Sequence, residues 1–204
     1  KECPYHRNER NTNSNCVPIS FGKFSNGDSA ATAGYLNIIR LFETQLYFTN
    51  IAMDKAAEYG QLEVLKYLHD HRTEGCTEYA MNFAAGFSLD RVKWLHFNRT
   101  EGCTTKAMDN AILRRKLDIM EWLHQNRTEG CSTWAMDYAK NLEILEWLHH
   151  NTSAGCTEQA MNHAAGIDLK MVKWLHNNCT EGCTEEAMDN AAMSGNLQLV
   201  QFFH

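Results

Sequence analysis

The sequence predicts an all-α protein, a helical solenoid of about seven helix-turn-helix repeats with shortened loops. Three observations lead to this fold class. The word Ala-Met-Asp or Ala-Met-Asn recurs every 25 to 28 residues, and its copies begin at Ala52, Ala80, Ala107, Ala135, Ala160 and Ala187. Both prolines, Pro4 and Pro18, precede residue 26, so no proline interrupts a helix beyond that point. A dense apolar segment related to L-x-V-L-x-W-L-H follows each copy, as expected for stacked helical units.

A polar, poorly periodic lead-in is predicted over residues 1–22, and the repeat array over residues 23–204. The first copy is degenerate, but the spacing of Asp28, Ala30 and Gly34 matches that of the later copies. The repeat words start near residues 26, 52, 80, 107, 135, 160 and 187. The last copy stops at L-V-Q-F-F-H, where each earlier copy continues into a loop, so the chain is interpreted as a fragment or as the ordered part of something longer, and the sequence leaves open whether further repeats follow His204.

Each unit is predicted to contain two helices. A hydroxyl residue three positions before the Ala-Met word can accept a hydrogen bond from a free amide and cap the first helix. These residues are Thr49, Thr77, Thr104, Ser132, Thr157 and Thr184. Paired alanines then allow close helix approach, and a glycine such as Gly60 suits a left-handed turn. The second helix is too apolar for one exposed stripe, so we expect it to pack on its partner and on both neighbours.

The segment A-M-D-x-A-A-x-x-G-x-L-E-V-L-K-Y-L at Ala52–Leu68 resembles the ankyrin repeat, with its capped first helix, paired alanines, glycine turn and apolar second helix. The resemblance covers residues 23–204, and the word W-L-H-x-N-R-T-E-G-C-T is similar to ankyrin arrays of oomycetes. Two features depart from the family: the period is about 27 residues instead of 33, and x-A-M-D replaces T-P-L-H. The resemblance therefore implies an ankyrin-like solenoid whose shortened loops lack the usual β-hairpin.

Charge and hydropathy limit the classes of partner. The formal net charge is −6, the pI is near 5.9, and there is no run of Lys and Arg, which argues against nucleic acids and anionic membranes. No apolar stretch approaches the ~20 residues that span a bilayer. We therefore expect a protein partner, no nucleic acid and no membrane insertion.

Residue types that could act in catalysis or metal binding recur once per repeat, which favours a structural role for them over catalysis. We expect the histidines that end the second helices to bond the last helix carbonyls; they are His69, His96, His124, His149, His176 and His204. We expect a second column to bond backbone in the adjacent turn: Asp54, Asn82, Asp109, Asp137, Asn162 and Asp189. A third column is expected to be buried free thiols: Cys76, Cys103, Cys131, Cys156 and Cys183. Stacking separates equivalent side chains by roughly 8–10 Å, so no catalytic, metal or cofactor site is predicted and the protein is interpreted as not an enzyme.

Three cysteines fall outside that column. A bridge between Cys3 and Cys16 is geometrically possible. An enzyme would need a non-repeated constellation, and the one non-repeated segment, residues 1–22, contains Cys3, His6 and Cys16. Cys179 and Cys183 are spaced as C-x3-C but lack a second ligand pair at zinc-finger spacing.

The sequence is compatible with two cellular compartments. Free cysteines in every repeat favour the cytoplasm, because disulfides form in oxidising compartments. A secreted form could instead be glycosylated at N-x-S/T triplets, whose asparagines are Asn98, Asn126, Asn151 and Asn178. Because these triplets are copies of one loop position, the four matches count as a single coincidence.

Function is expected at the positions that differ between repeats. The residue before each Ala-Met word and the residue after its acid lie four apart on one face of the first helix. The ankyrin resemblance places this face in a concave binding groove, so we predict partner binding by Tyr79, Phe83, Lys106, Asn110, Trp134, Tyr138, Gln159 and His163. The alternative for the aromatic residues is that they cover gaps left by shortened loops. The predicted function is a protein-binding scaffold; the alternative is a structural or assembly subunit of a larger complex, extracellular and N-glycosylated.

Overall fold

The computed structural model describes residues 26–204, and this region is helical apart from one isolated parallel bridge between Asn26 and Tyr47. The first helices of the repeats are α1 (Gly27–Thr32), α3 (Asn50–Glu58), α5 (Glu78–Ala84), α7 (Thr105–Leu113), α9 (Thr133–Asp137), α11 (Glu158–Ala164) and α13 (Glu185–Met193). The second helices are α2 (Leu36–Leu41), α4 (Leu62–His71), α6 (Leu89–Asn98), α8 (Leu117–Asn126), α10 (Leu142–Asn151), α12 (Leu169–Asn178) and α14 (Leu197–Phe203). The predicted all-α solenoid is confirmed. None of these helices is long and apolar enough to cross a membrane.

The predictions for the lead-in fall outside the described residues. They concern the irregular segment 1–22, the Cys3–Cys16 bridge and the constellation that includes His6.

The first helices stack in chain order, α1 on α3, α3 on α5 and so on to α13, and each also packs on the second helix of its own repeat. The alanine pairs lie at these junctions, and Ala56 and Ala57 are completely buried. Their small side chains let neighbouring helices approach closely. As a result, one hydrophobic core runs continuously from Ala30 to Leu199.

Of the six residues predicted to cap first helices, all but one form the cap. The Oγ1 of Thr49 accepts a hydrogen bond from the backbone N–H of Ile51 at 3.1 Å. The same cap is formed by Thr77, Thr104, Thr157 and Thr184. Ser132 is the exception: its hydroxyl donates to Asp109, as the equivalent threonines do to their acids, but it accepts no capping bond. The helix that it precedes, α9, has only five residues.

The turn between first and second helix uses the left-handed region that the sequence predicts. Gly60 has φ +86°, and Gly34 and Gly195 have φ +77° and +68°. In the α7–α8 connection the same position is Arg115, at φ 56°, the one non-glycine residue with positive φ in residues 26–204. A side chain in this region costs roughly 1–2 kcal/mol.

Candidate partner-binding face

A ladder of hydrogen bonds fixes the spacing of the first helices. The carboxylate of Asp54 accepts the backbone N–H and the hydroxyl of Thr77, each at 2.8 Å. The equivalent pairs are Asp28–Thr49, Asn82–Thr104, Asp109–Ser132, Asp137–Thr157 and Asn162–Thr184. These contacts confirm the predicted bond to the adjacent turn for Asp54, Asn82, Asp109, Asp137 and Asn162, whereas for Asp189 it stays a prediction. Burial raises the pKa of the Asp54 and Asp109 carboxyls, although hydrogen bonds from Thr77 and Ser132 oppose the shift.

Beside this ladder lies a groove of about 850 Å³ across α5, α7 and α9. Its lining includes five of the eight predicted partner-binding residues, namely Tyr79, Phe83, Lys106, Asn110 and Trp134. We call this surface the α5–α9 groove. The groove thus brings together side chains from three successive repeats.

The other predicted residues are placed differently. Tyr138 and His163 line a smaller hollow of about 210 Å³, together with Lys140 and Ile167. Gln159 lines neither this hollow nor the α5–α9 groove. The predicted set therefore does not form one continuous pocket.

Aromatic stacking holds the rings at these positions. The ring centroids of Tyr79 and Phe83 are 3.9 Å apart, and those of Trp134 and Tyr138 are 4.5 Å apart. Tyr138 also contacts the His163 ring at 4.2 Å. The stack of Trp134 on Tyr138 lies between the groove and the smaller hollow, because each residue lines one of them.

The preceding repeat positions Tyr79. The Nζ of Lys55 donates to the Tyr79 hydroxyl at 3.2 Å and lies 4.9 Å from the ring centroid. The hydroxyl in turn donates to Glu58 at 3.2 Å, and Lys55 also bonds Glu58 at 2.7 Å. The bonds to Glu58 and Tyr79 raise the pKa of Lys55 above its usual range. Lys55 occupies one of the variable positions of the first helices but is not among the eight residues predicted to bind a partner, and Glu58 lies outside those positions.

Two of the predicted residues also serve the scaffold. The Nδ2 of Asn110 donates to the carbonyl of Asn82 at 2.8 Å. The Nδ1 of His163 lies 3.2 Å from the carbonyl of Asp137. Both side chains therefore contact the first helix of the preceding repeat, which leaves the rings and Lys106 as the most available groups of the face.

At the ends of the second helices, histidines face aromatic rings of the next repeat. His69 meets Trp94 edge to face with ring centroids 5.3 Å apart. The equivalent pairs are His96–Trp122, His124–Trp147, His149–Trp174 and His176–Phe202. The prediction that these histidines bond the last helix carbonyls is wrong for these five residues, because their rings extend toward the neighbouring repeat.

The carbonyls are bonded by asparagines two residues later. The Nδ2 of Asn126 donates to the carbonyl of Trp122 at 2.8 Å, four residues back along α8. Asn98, Asn151 and Asn178 make the same bond, also at 2.8 Å. These are the four asparagines of the N-x-S/T triplets, and all four are exposed.

The loops after the second helices carry an Arg–Glu pair in three repeats. Arg72 bonds Glu74, Arg99 bonds Glu101, and Arg127 bonds Glu129. Burial alone would raise the pKa of Glu101, but the hydrogen bonds from Arg99 and from backbone amides outweigh it and lower that pKa to about 2. Each loop is thus closed by a short internal ion pair.

The cysteine column lies beside these loops as free thiols. Cys76, Cys103 and Cys156 are buried, as predicted, whereas Cys131 is half-buried and Cys183 is exposed. Burial raises the pKa of the Cys76 thiol to about 12. The thiols of Cys76 and Cys103, whose pKa values burial raises, are therefore protonated space-filling groups at neutral pH.

One loop differs, because Cys179 stands where Arg99 and Arg127 stand in earlier repeats. It brings together the thiols of Cys156 and Cys179 and the carboxylate of Glu181, with their ligand atoms within 4.8 Å of one another. Sequence reasoning missed this cluster, since Cys156 and Cys179 come from different repeats. The available signal was the exchange of Arg for Cys at a fixed loop position.

Comparison with known families bears on the last repeats. Residues 163–204, from the end of α11 through α14, match the family model of ankyrin repeats (many copies). No curated protein matches the chain. The same two-helix unit recurs from α1 onward, joined by the same Asp/Asn–Thr/Ser bonds. Residues 26–204 thus form an ankyrin-like helical solenoid, and the sequence of its C-terminal part is similar to ankyrin repeats.

Proposed function

We propose that the protein is a non-enzymatic interaction scaffold that binds a protein partner on the variable face of its first helices. One observation carries the proposal: five residues from positions that differ between repeats line the α5–α9 groove, beside fixed residues such as Asn82 and Thr104 that join one repeat to the next. Ankyrin repeats, to which residues 163–204 are similar, are in general protein-interaction modules. We infer that the upstream short repeats belong to the same family.

The lining of the groove favours a particular partner chemistry. The stacked Tyr79 and Phe83 lie on one side and Trp134 on the other, with the exposed Lys106 between them in sequence. Aromatic anchors dominate interface hot spots. A partner segment with an apolar side chain for the rings and a carboxylate for Lys106 would complement this surface.

Binding can be tested by affinity capture followed by measurement of the dissociation constant with the purified partner. The double variant Tyr79→Ala/Trp134→Ala should weaken binding by at least about thirtyfold, the loss that follows if even one of the two truncations removes a hot spot worth about 2 kcal/mol. The control is Phe97→Ala, an aromatic residue of α6 that is 73% exposed and outside the groove. Undiminished affinity in the double variant, or equal loss in the control, would contradict the proposed face.

We propose a cytoplasmic location for this scaffold. The free, largely buried cysteine column supports it, because a reducing compartment keeps such thiols unpaired. The alternative, an extracellular structural or assembly subunit, would draw on the exposed Asn98, Asn126, Asn151 and Asn178 as glycan acceptors.

A further inference from the structure

We propose that Cys156, Cys179 and Glu181 form a zinc-binding site that joins the loop before α11 to the loop after α12. Cys156 precedes α11, and Cys179 and Glu181 follow α12. The site therefore lies at the joint between two successive repeats. It is independent of the α5–α9 groove.

The site arises from a change in a recurring contact. In earlier repeats an arginine faces the column cysteine of the preceding repeat: Arg99 contacts Cys76, and Arg127 contacts Cys103. At the equivalent joint Cys179 replaces the arginine and faces Cys156. The exchange removes a cation and adds a second sulfur ligand.

The same exchange leaves a carboxylate without its usual partner. Glu101 and Glu129 are each held by the arginine two residues earlier in their own loop. In the part of the chain from residue 26 onward, no basic side chain forms an ion pair with Glu181, which instead lies 3.4 Å from the Sγ of Cys156. A cation at this position would restore the positive charge that the other loops obtain from arginine.

The distances suit a tetrahedral zinc ion. With Zn–S near 2.3 Å and Zn–O near 2.0–2.2 Å, neighbouring sulfur and oxygen ligands are about 3.5 Å apart and two sulfurs about 3.8 Å apart. The ligand atoms here lie within 4.8 Å of one another, and one sulfur–oxygen separation is 3.4 Å. Side-chain rotations that shift these atoms by about 1 Å would complete the geometry.

The two sulfur ligands and one oxygen ligand indicate which metal the site would bind. Thiolate ligands favour Zn²⁺ over Mg²⁺ and Ca²⁺, which prefer oxygen ligands. Binding releases the two thiol protons to solvent and leaves the fourth coordination position for water. Because two loops would be tied through one ion, the metal should stiffen the joint between the repeats that contain α10 and α12.

The test titrates the reduced full chain with Co²⁺, whose thiolate complexes give an intense charge-transfer absorption, and then displaces the Co²⁺ with Zn²⁺. A phosphine reductant keeps all cysteines as thiols. We expect one equivalent of Co²⁺ with a sulfur-to-metal band, loss of that band when Zn²⁺ is added, and a higher melting temperature with Zn²⁺. No band, or binding without charge transfer, would overturn the proposal.

Matched variants locate the ligands. Cys179→Arg restores the Arg–Glu loop of the other repeats, so it should fold normally by circular dichroism and lose the band. Glu181→Gln should weaken Zn²⁺ binding by at least the 10–100-fold that loss of an outer-shell partner costs. Cys103→Ala, in the same column but facing Arg127, and Cys183→Ser should bind as the wild type does. Retention of the band in Cys179→Arg, or its loss in Cys103→Ala or Cys183→Ser, would also overturn the assignment.

Discussion

The Asp54 carboxylate holds Thr77 of the next repeat by two bonds of 2.8 Å, one from the backbone amide and one from the hydroxyl. Asn82 and Asn162 occupy the equivalent position in other repeats and bond the same two groups, with their amides donating to the threonine hydroxyls. The joint therefore accepts either an acid or an amide, because the threonine hydroxyl can donate or accept.

This equivalence predicts the effect of two substitutions. Asp54→Asn should change the free energy of unfolding by less than about 1 kcal/mol, since both bonds can re-form. Asp54→Ala leaves the amide of Thr77 without its partner and should cost about 1–3 kcal/mol. Urea denaturation of the two variants measures the difference. Equal losses would show that the carboxylate charge, and not hydrogen bonding, joins the repeats.

Arg115 offers a second prediction, because it adopts φ 56° where Gly60 adopts φ +86°. Arg115→Gly should raise the free energy of unfolding by about 0.5–1 kcal/mol, the relief of left-handed strain less the greater freedom of glycine in the unfolded chain. The reverse control is Gly60→Ala, where an added Cβ would meet only ordinary contacts with Arg91 at 3.8 Å or more. That variant should lose about 1 kcal/mol. Thermal melts that move both variants in one direction would argue against backbone strain as the cause.

Glu101 predicts a pH dependence of stability. Its pKa is about 2 in the folded chain and 4.5 ordinarily, so the unfolded state takes up the proton at the higher pH. The stabilisation is therefore complete above about pH 4.5 and is lost as the pH falls toward 2. Glu101→Gln should lose less stability across this window than the wild type does. The control is Glu121→Gln, at an exposed position. If the free energy of unfolding of Glu101→Gln fell with pH as steeply as that of the wild type, the ion pair with Arg99 would not be the cause.

The compartment gives a fourth prediction. If the protein is cytoplasmic, mass spectrometry of the native chain will find Asn126 unmodified, although its side chain is exposed. A glycan on Asn126 would end the cytoplasmic proposal and favour the extracellular alternative. The measurement needs no variant, since the four acceptor asparagines occupy the same position at the end of a second helix.

The fold could be predicted because each repeat restates the same local signals. Caps such as Thr77, alanine pairs and the turn glycines act within a few residues of their position, so sequence spacing is enough to place them. Ser132 shows the limit: its residue type allows a cap, but its hydroxyl makes only the bond to Asp109, whereas the hydroxyl of Thr77 donates to Asp54 and also caps α5. The residue type does not show whether a hydroxyl makes one of these bonds or both.

The contacts of the histidine column and of the thiol cluster could not be predicted from the sequence of a single repeat. The ring of His96 lies against Trp122 of the next repeat, and Asn98 takes the carbonyl that the histidine was expected to bond. Cys156 and Cys179 meet only because stacking superimposes two loops. Spacing alone was enough to find the variable positions, but their division between the groove and the hollow depends on how the repeats pack around the five-residue α9.

Two kinds of contact join each repeat only to its immediate neighbour. One is the hydrogen bonding between a carboxylate or amide and a threonine, and the other is the ring contact between a histidine and an indole. Such a chain of pairwise couplings behaves as a one-dimensional cooperative system. The joint at α9, with its short helix and uncapped start, is then the natural place for cooperativity to fail. Native-state hydrogen exchange would resolve two blocks, one before and one after Trp134, that open with different free energies.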